Sequence, residues 1–136
     1  MSLKTALYSY LTGISAITTL VSTRIYPDVA PETATRPYII YQYVSSEHVR
    51  HMTAASDFAS RRVQFDVYGD SALSVENVFD ALRDALESKR GNIGTENLSV
   101  LSSGIDSERD DFVDPADASQ IGKHRRSIDY IIWHRL

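Results

Sequence analysis

Hydrophobic residues recur at helical spacing in two segments of the chain. The first segment places them three or four positions apart at Leu3, Ala6, Leu7, Tyr10 and Leu11. The second does the same at Val75, Val78, Phe79, Leu82 and Leu86. This spacing predicts two main helices, each with one apolar face, and Asp70 or Ser71 is a candidate N-cap for the second. Residues 14–21 are expected to add only a further helical turn or two.

Four other segments have the pattern of β-strands. They are residues 38–44, 62–68, 98–102 with an extension to Ile105, and 127–135. The first is rich in β-branched and aromatic residues, and the second alternates cleanly between apolar and polar positions. The last is apolar on both faces, because Ile128, Tyr130 and Ile132 lie on one face and Ile131 and Trp133 lie on the other. Such a strand is expected inside the sheet or at an interface.

The order of these elements is α-β-β-α-β-β. It predicts an α+β fold with an antiparallel or mixed four-stranded sheet and two main helices packed on one face. We expect a single domain over residues 1–136, with projecting loops near residues 46–60 and 106–124. Residues 46–60 fit either a projecting loop or an extension of the hairpin. Residues 91–94 predict a helix end followed by a turn.

Composition narrows the class of protein. The chain has 136 residues, of which 43% are hydrophobic and 24% charged, and this suits one folded domain. The 14 basic and 18 acidic residues give a net charge of -4, which argues against a protein whose main task is binding nucleic acid. Cysteine is absent, so disulfides, thiolate metal ligands and a cysteine nucleophile are excluded. The sequence shows no signal peptide and no apolar run that could cross a bilayer, so we expect cytoplasmic synthesis and no membrane partner.

Motifs for catalysis are absent from the sequence. No phosphate-binding loop, dinucleotide fingerprint, nucleophile elbow or zinc-binding helix motif occurs. His48 and His51 have a spacing seen in metal ligands, but they lie in a loop or strand end with no cysteine available, which favours solvated or interface histidines. The adjacent Asp110 and Asp111 offer no environment that separates their pKa values. The acidic segment also departs from the spacing of a calcium-binding EF-hand. No catalytic, cofactor-binding or metal-binding residue is therefore predicted.

The most unusual feature of the sequence is a charge pattern near its end. A cluster of acidic residues is followed at once by a basic stretch, Lys123 to Arg126. One interpretation is a solvated hairpin whose charges balance. The other is an arm that contacts a second subunit or lines a passage for a polyanion. In that case Arg125 and Arg126 are expected to pair with the acidic arm of a neighbouring subunit.

The order of several short segments is similar to that of a known family. They are residues 24–27, Pro31, residues 37–42, residues 62–68, a helix after Ser71, residues 107–110 and residues 125–133. Taken together, over nearly the whole chain, this set resembles the tail-completion or tail terminator (tail-to-head joining) proteins of long-tailed bacteriophages and prophages. No single segment is diagnostic, and the resemblance depends on their order.

The resemblance implies a structural virion protein without catalysis. Proteins of this family cap the head-proximal end of the tail tube, commonly as a hexameric ring, and join the tail to the head connector. The implied partners are further copies of the chain, the tail tube protein and a head-connector or head-closure protein. DNA would pass through the lumen without specific binding. The implied location is the head-tail junction of the virion.

Interface residues are expected in the two segments that exceed the needs of a compact domain. The candidates are Glu47, Arg50, His51, Asp106, Glu108, Asp110, Asp111, Asp114, Asp117, Lys123, Arg125 and Arg126. Three other functions stay open at this point. They are another neck component such as a head-closure or adaptor protein, a small ligand-binding or enzymatic α+β domain, and a nucleic-acid-binding module.

Overall fold

The computed structural model of the protein describes residues 3–31, 35–50, 55–87, 90–94, 98–113 and 123–135. Three helices and six strands follow one another in these ranges. Their bounds in chain order are α1 Leu3–Thr12, α2 Ser15–Val21, β1 Ile25–Pro27, β2 Tyr38–Arg50, β3 Ala55–Gly69, α3 Ala72–Leu86, β4 Gly91–Ile93, β5 Leu98–Val113 and β6 Lys123–Arg135. None of the described helices is long and apolar enough to span a membrane.

The six strands form one mixed sheet in the order β1-β2-β3-β6-β5-β4. Strand β1 runs parallel to β2, and every other neighbouring pair is antiparallel. Strand β6 therefore lies inside the sheet, between β3 and β5. Its alternate residues Ile128, Tyr130 and Ile132 are buried on one face, which matches the apolar pattern of this segment.

The three helices pack against one face of the sheet. Leu7 of α1, Ile17 of α2 and Leu82 of α3 are fully buried in the same cluster as the inward residues of β2, β3 and β6. Burial of these apolar side chains is the main stabilising contribution to the fold, at about 1.5–3 kcal/mol for each large side chain. The opposite face of the sheet has no helix on it in the described part of the chain.

Helix α3 begins where a side chain can cap it. The Ser71 side chain accepts a hydrogen bond from the backbone N–H of Ser74 at 3.1 Å, and Ser71 itself has extended backbone angles. This oxygen satisfies one of the N–H groups that a helix leaves unpaired at its start. Of the two predicted caps, Asp70 and Ser71, the structure uses Ser71.

The predicted fold class, a four-stranded sheet with two main helices, is wrong. The described chain has six strands and three helices. The two missed strands, β1 and β4, are three residues each, which is too short for alternation to show. The sequence of β4 favoured a turn because it begins at Gly91 and is followed by Gly94. Both glycines have positive φ, and a Cβ on Gly94 would lie 2.9 Å from the carbonyl oxygen of Ala6 in α1.

Strands β2, β3, β5 and β6 are also longer than the hydrophobic pattern indicates. Strand β5 extends to Val113 through a polar and acidic sequence, and β2 extends to Arg50. Within residues 46–60, described positions pair with each other across β2 and β3, for example Glu47 with Ser60 and His48 with Ala59. Polar residues remain in these strands because backbone pairing and cross-strand ion pairs replace the apolar contacts that the pattern detects.

Candidate assembly interface

The helix-free face of the sheet is polar at its centre. Alternate residues of β3 and β6 point to this face because neighbouring side chains on a strand alternate. Asp66 is only 7% exposed, and its Oδ1 accepts hydrogen bonds from the Ser127 hydroxyl at 2.5 Å and from Gln64 Nε2 at 3.1 Å. These contacts compensate for the cost of removing a carboxylate from water. The centre of the face is therefore polar and internally hydrogen-bonded.

Arg62 connects three strands on this same face. Its guanidinium forms an ion pair with Asp106 of β5 and a second one with Asp129 of β6, at 3.3 Å. The hydrogen bond to Asp106 is the main reason that the pKa of Arg62 is raised. Ser107 also donates to Asp129, at 3.4 Å. The charge of Asp106 is thus balanced within the chain.

Two further ion pairs hold β5 to β6. Asp110 lies opposite Arg126 in the ladder and accepts from its Nε at 2.6 Å and its second nitrogen at 3.2 Å. Asp111 lies opposite Arg125 and accepts a hydrogen bond from it. The bond from Arg126 lowers the pKa of Asp110, and the bond to Asp111 raises the pKa of Arg125. Both arginines therefore have acidic partners on the adjacent strand of their own chain, as in the first of the two interpretations of the charge pattern, a hairpin whose charges balance.

Arg126 also contacts helix α3. Its guanidinium carbon lies 4.7 Å from the centre of the buried Phe79 ring, which is the geometry of a cation–π contact. Arg126 is on the helix-covered face of β6, two residues before Ile128. Arg126 therefore packs the charged part of the β5–β6 hairpin against the core, in addition to pairing with Asp110.

The predicted interface residues fall into three groups. Asp106, Asp110, Asp111, Arg125 and Arg126 are brought together in the β5–β6 hairpin, and Glu108 is exposed on β5 beside them. Glu47 is exposed on β2, toward the opposite edge of the sheet, and Arg50 and Lys123 lie at the end of β2 and the start of β6. His51, Asp114 and Asp117 lie outside the described residues. Their role in assembly stays a prediction.

Sequence reasoning missed three residues that the geometry makes notable. Arg62 was assigned only to a strand, although it bridges two carboxylates. Arg109 lies within the acidic cluster and was not among the interface candidates, and the structure leaves its side chain exposed on β5. Trp133 is 37% exposed on the helix-free face. The apolar character of both faces of residues 127–135 was the one sequence signal for Trp133.

The described residues hold no cluster of metal ligands. Across these ranges no group of three His, Asp or Glu side chains lies close enough to hold a metal ion. Asp106, Asp110 and Asp111 of β5 are paired with arginines and are well exposed. What this arrangement offers is a charged but internally neutralised surface, which suits contacts between proteins.

Comparison with known proteins decides the family. A family described as "Tail completion protein gp17" matches residues 5–134 of this chain. The chain belongs to the tail completion protein gp17 family. Its members are structural proteins of the virion tail and not enzymes, so this chain is a tail structural protein. The resemblance seen in the sequence and the expectation of a structural role are both confirmed.

A solved structure supports the fold of this tail completion protein. A chain from a structure titled "Virion of native gene transfer agent (GTA) particle" is similar to it, with 19% sequence identity and a TM-score of 0.64. The similarity covers 98% of this chain and 93% of that chain. At this identity the likeness establishes the shared fold. No curated protein matches the chain.

Proposed function

We propose that this protein forms a ring that caps the head-proximal end of the phage tail tube and joins the tail to the head connector. The observation that carries the proposal is the family match over residues 5–134, which includes nearly every described helix and strand. The proposed partners are further copies of the chain in a ring, which we take to be a hexamer, the tail tube protein and a head-connector or head-closure protein.

The two long hairpins supply the contact elements of this proposal. Strand β2 carries Glu47 and Arg50, strand β5 carries Asp106, Glu108, Asp110 and Asp111, and strand β6 carries Lys123, Arg125 and Arg126. Both hairpins extend past the three-residue edge strands β1 and β4, which pair only with residues 39–41 and 98–100. Long polar hairpins of this kind are more than a compact core needs, and this supports a role in assembly.

The charge distribution supports passage of DNA without specific binding. The net charge is -4, and carboxylates of the same chain pair with Arg62, Arg125 and Arg126. Proteins that bind the DNA backbone tightly need unpaired basic groups that displace counterions from phosphates. We therefore expect no salt-dependent DNA binding by the purified chain.

Electron microscopy of particles from a genome that lacks this gene tests the proposal. The expected result is DNA-filled heads beside unjoined, irregular or overlong tails, with joining restored by the wild-type gene in trans. Full heads that lose their DNA would instead indicate a head-closure protein. Normal infectious particles would overturn the proposal.

Shortened hairpins test the contact elements separately from the fold. Residues 47–60 can be replaced by an Asn-Gly turn, because Ser46 and Arg61 are already paired across β2 and β3. Residues 110–126 can be replaced in the same way between Arg109 and Ser127. We expect each variant to be absent from joined particles. Circular dichroism and a cooperative melt serve as the control for folding, and a folded variant that still joins heads to tails contradicts the assignment.

A further inference from the structure

Two long strand edges are bare in the described part of the chain. Strand β4 pairs only with residues 98–100 of β5, and β1 pairs only with residues 39–41 of β2. Beyond these positions the outer edges of β5 and β2 have no strand beside them among the described residues. The backbone N–H and C=O groups of such edges are a template for pairing with another strand.

The charges on β5 do not protect its edge. Like charges along an edge strand normally prevent edge-to-edge pairing. Here Asp106, Asp110 and Asp111 are each neutralised by an arginine of the same chain. Glu108 and Arg109, which follow one another on β5, carry opposite charges. The acidic appearance of the sequence therefore overstates the repulsion that an approaching strand would meet.

The strand directions allow the two edges to meet in a ring. Strands β2, β3, β6 and β5 alternate in direction, so β2 and β5 run opposite ways at the two sides of the same sheet. Rotation of a copy about a ring axis keeps these directions relative to the axis. The β5 edge of one copy would thus meet the β2 edge of the next as an antiparallel pair, and the interface would use two different surfaces, as ring closure requires.

We propose that β5 of one copy adds antiparallel to β2 of the next, with Arg109 facing Glu47 across the joint, so that the sheet continues from copy to copy. This inference rests on the proposed ring and names the contact within it. Arg109 and Glu47 are opposite in charge and exposed, and they lie on the same helix-free face of the sheet. Neither takes part in a salt bridge among the described residues.

The proposed contact requires the strands of the ring to be tilted. Following the ladder from Glu47 across β3 and β6 leads to Ser102, so Arg109 lies further along β5 than the level of Glu47. A contact between Arg109 and Glu47 of different copies therefore requires a stagger at the joint. Sheets that close on themselves need such a stagger, because their strands tilt relative to the axis.

Cysteine cross-linking in assembled particles tests the contact, and the chain contains no natural cysteine to interfere. Paired residues of neighbouring antiparallel strands have Cα atoms within disulfide range. We expect mild oxidation of the double variant Glu47→Cys/Arg109→Cys to give disulfide-linked species larger than dimers. Each single variant should stay monomeric on a non-reducing gel. The matched control is Leu73→Cys/Arg109→Cys, because Leu73 is 66% exposed on α3, away from both edges, and it should not cross-link.

A charge exchange provides the second measurement. We expect Arg109→Glu alone or Glu47→Arg alone to reduce the yield of joined particles, and the double exchange to restore it. Recovery by the double variant requires direct contact, which a structural role of either residue would not produce. The losses in the single variants should be greatest at low salt, because both side chains are exposed.

The remaining outcomes separate this inference from the proposed function. Dimers from Arg109→Cys alone would indicate a two-fold β5–β5 pairing and overturn the inference. The inference would also be overturned, with the proposed ring left intact, by two results together. Joined particles would contain the double-cysteine chain without a cross-link, and the double charge exchange would not restore the yield of joined particles. Infectious particles from which the chain is absent would overturn the proposed function itself.

Discussion

Two buried tyrosines give a sharp test of the energetics of this fold. Tyr41 of β2 and Tyr130 of β6 are both fully buried on either side of Phe65, with ring centres 5.9 and 5.8 Å from its own. Burial raises the pKa of both hydroxyls. They differ in hydrogen bonding. The Tyr41 hydroxyl donates to the carbonyl oxygen of Lys4 at 2.7 Å, whereas the Tyr130 hydroxyl has no partner among the described residues.

Replacement of each tyrosine by phenylalanine should therefore have different results. A net intramolecular hydrogen bond contributes about 0.5–1.5 kcal/mol, so we expect Tyr41→Phe to lower the free energy of unfolding by about 1 kcal/mol. An unpaired buried hydroxyl is itself destabilising, so Tyr130→Phe should leave the free energy unchanged or raise it by up to about 1 kcal/mol. Both replacements keep the ring and nearly all of the buried apolar area, so the packing contribution is matched.

Urea unfolding of the purified chain at neutral pH measures both effects from the shift in midpoint at constant slope. Tyr8→Phe is the control, because Tyr8 is 40% exposed and its hydroxyl should contribute little. An equal loss of stability in Tyr41→Phe and Tyr130→Phe would refute the reasoning. Such a result would mean that the partner of the hydroxyl does not determine the effect.

Four further predictions concern the β5–β6 hairpin and a close backbone contact. Arg126→Ala should lower the free energy of unfolding by about 1–2 kcal/mol, because it removes both the exposed ion pair and the contact with Phe79. Asp110→Asn removes only the ion pair, so it should lower the free energy of unfolding by about 0.2–1 kcal/mol. Urea unfolding measures both losses. The stability that Asp110 contributes should be complete above its ordinary pKa of 3.8 and disappear as the pH falls through its lowered pKa in the fold. If the free energy of unfolding of the wild type minus that of Asp110→Asn stayed constant down to pH 2, this prediction would be contradicted. Gly94→Ala should lower the melting temperature, since its Cβ would lie 2.9 Å from the Ala6 carbonyl oxygen and Gly94 has positive φ, and an unchanged melting temperature would contradict the close approach.

The hydrophobic pattern predicted the helices and the centres of the long strands because those positions are determined by burial. The stripe from Val75 to Leu86 is the buried face of α3, and Val63, Phe65 and Val67 are all buried on β3. Where backbone pairing determines the structure, the hydrophobic pattern did not predict the strands. Strands β1 and β4 are three residues each, and the polar half of β5 is held by its ladder with β6.

The charge pattern indicated that the acidic and basic residues could balance one another, but not which residues pair. A sequence shows that acidic residues precede Arg125 and Arg126, and it does not show which of them lie opposite in a ladder. The register pairs Asp110 with Arg126 and Asp111 with Arg125, so the charges are balanced within one chain. The position of Arg62 between two carboxylates depends on contacts across three strands, which local spacing cannot reveal.

The central position of β6 has a kinetic consequence. The hydrogen bonds that join side chains of β3 to those of β6 span from 61 to 73 residues of sequence, while the β2–β3 and β5–β6 hairpins connect near neighbours. Loops of that length close slowly, and chains dominated by such distant contacts fold slowly. The two hairpins can therefore form early and separately, and the docking of β6 onto β3 is the step expected to limit the folding rate. Until that step is complete, both inner strand edges are exposed to other newly made chains, so the yield of folded protein should fall as its concentration during refolding rises.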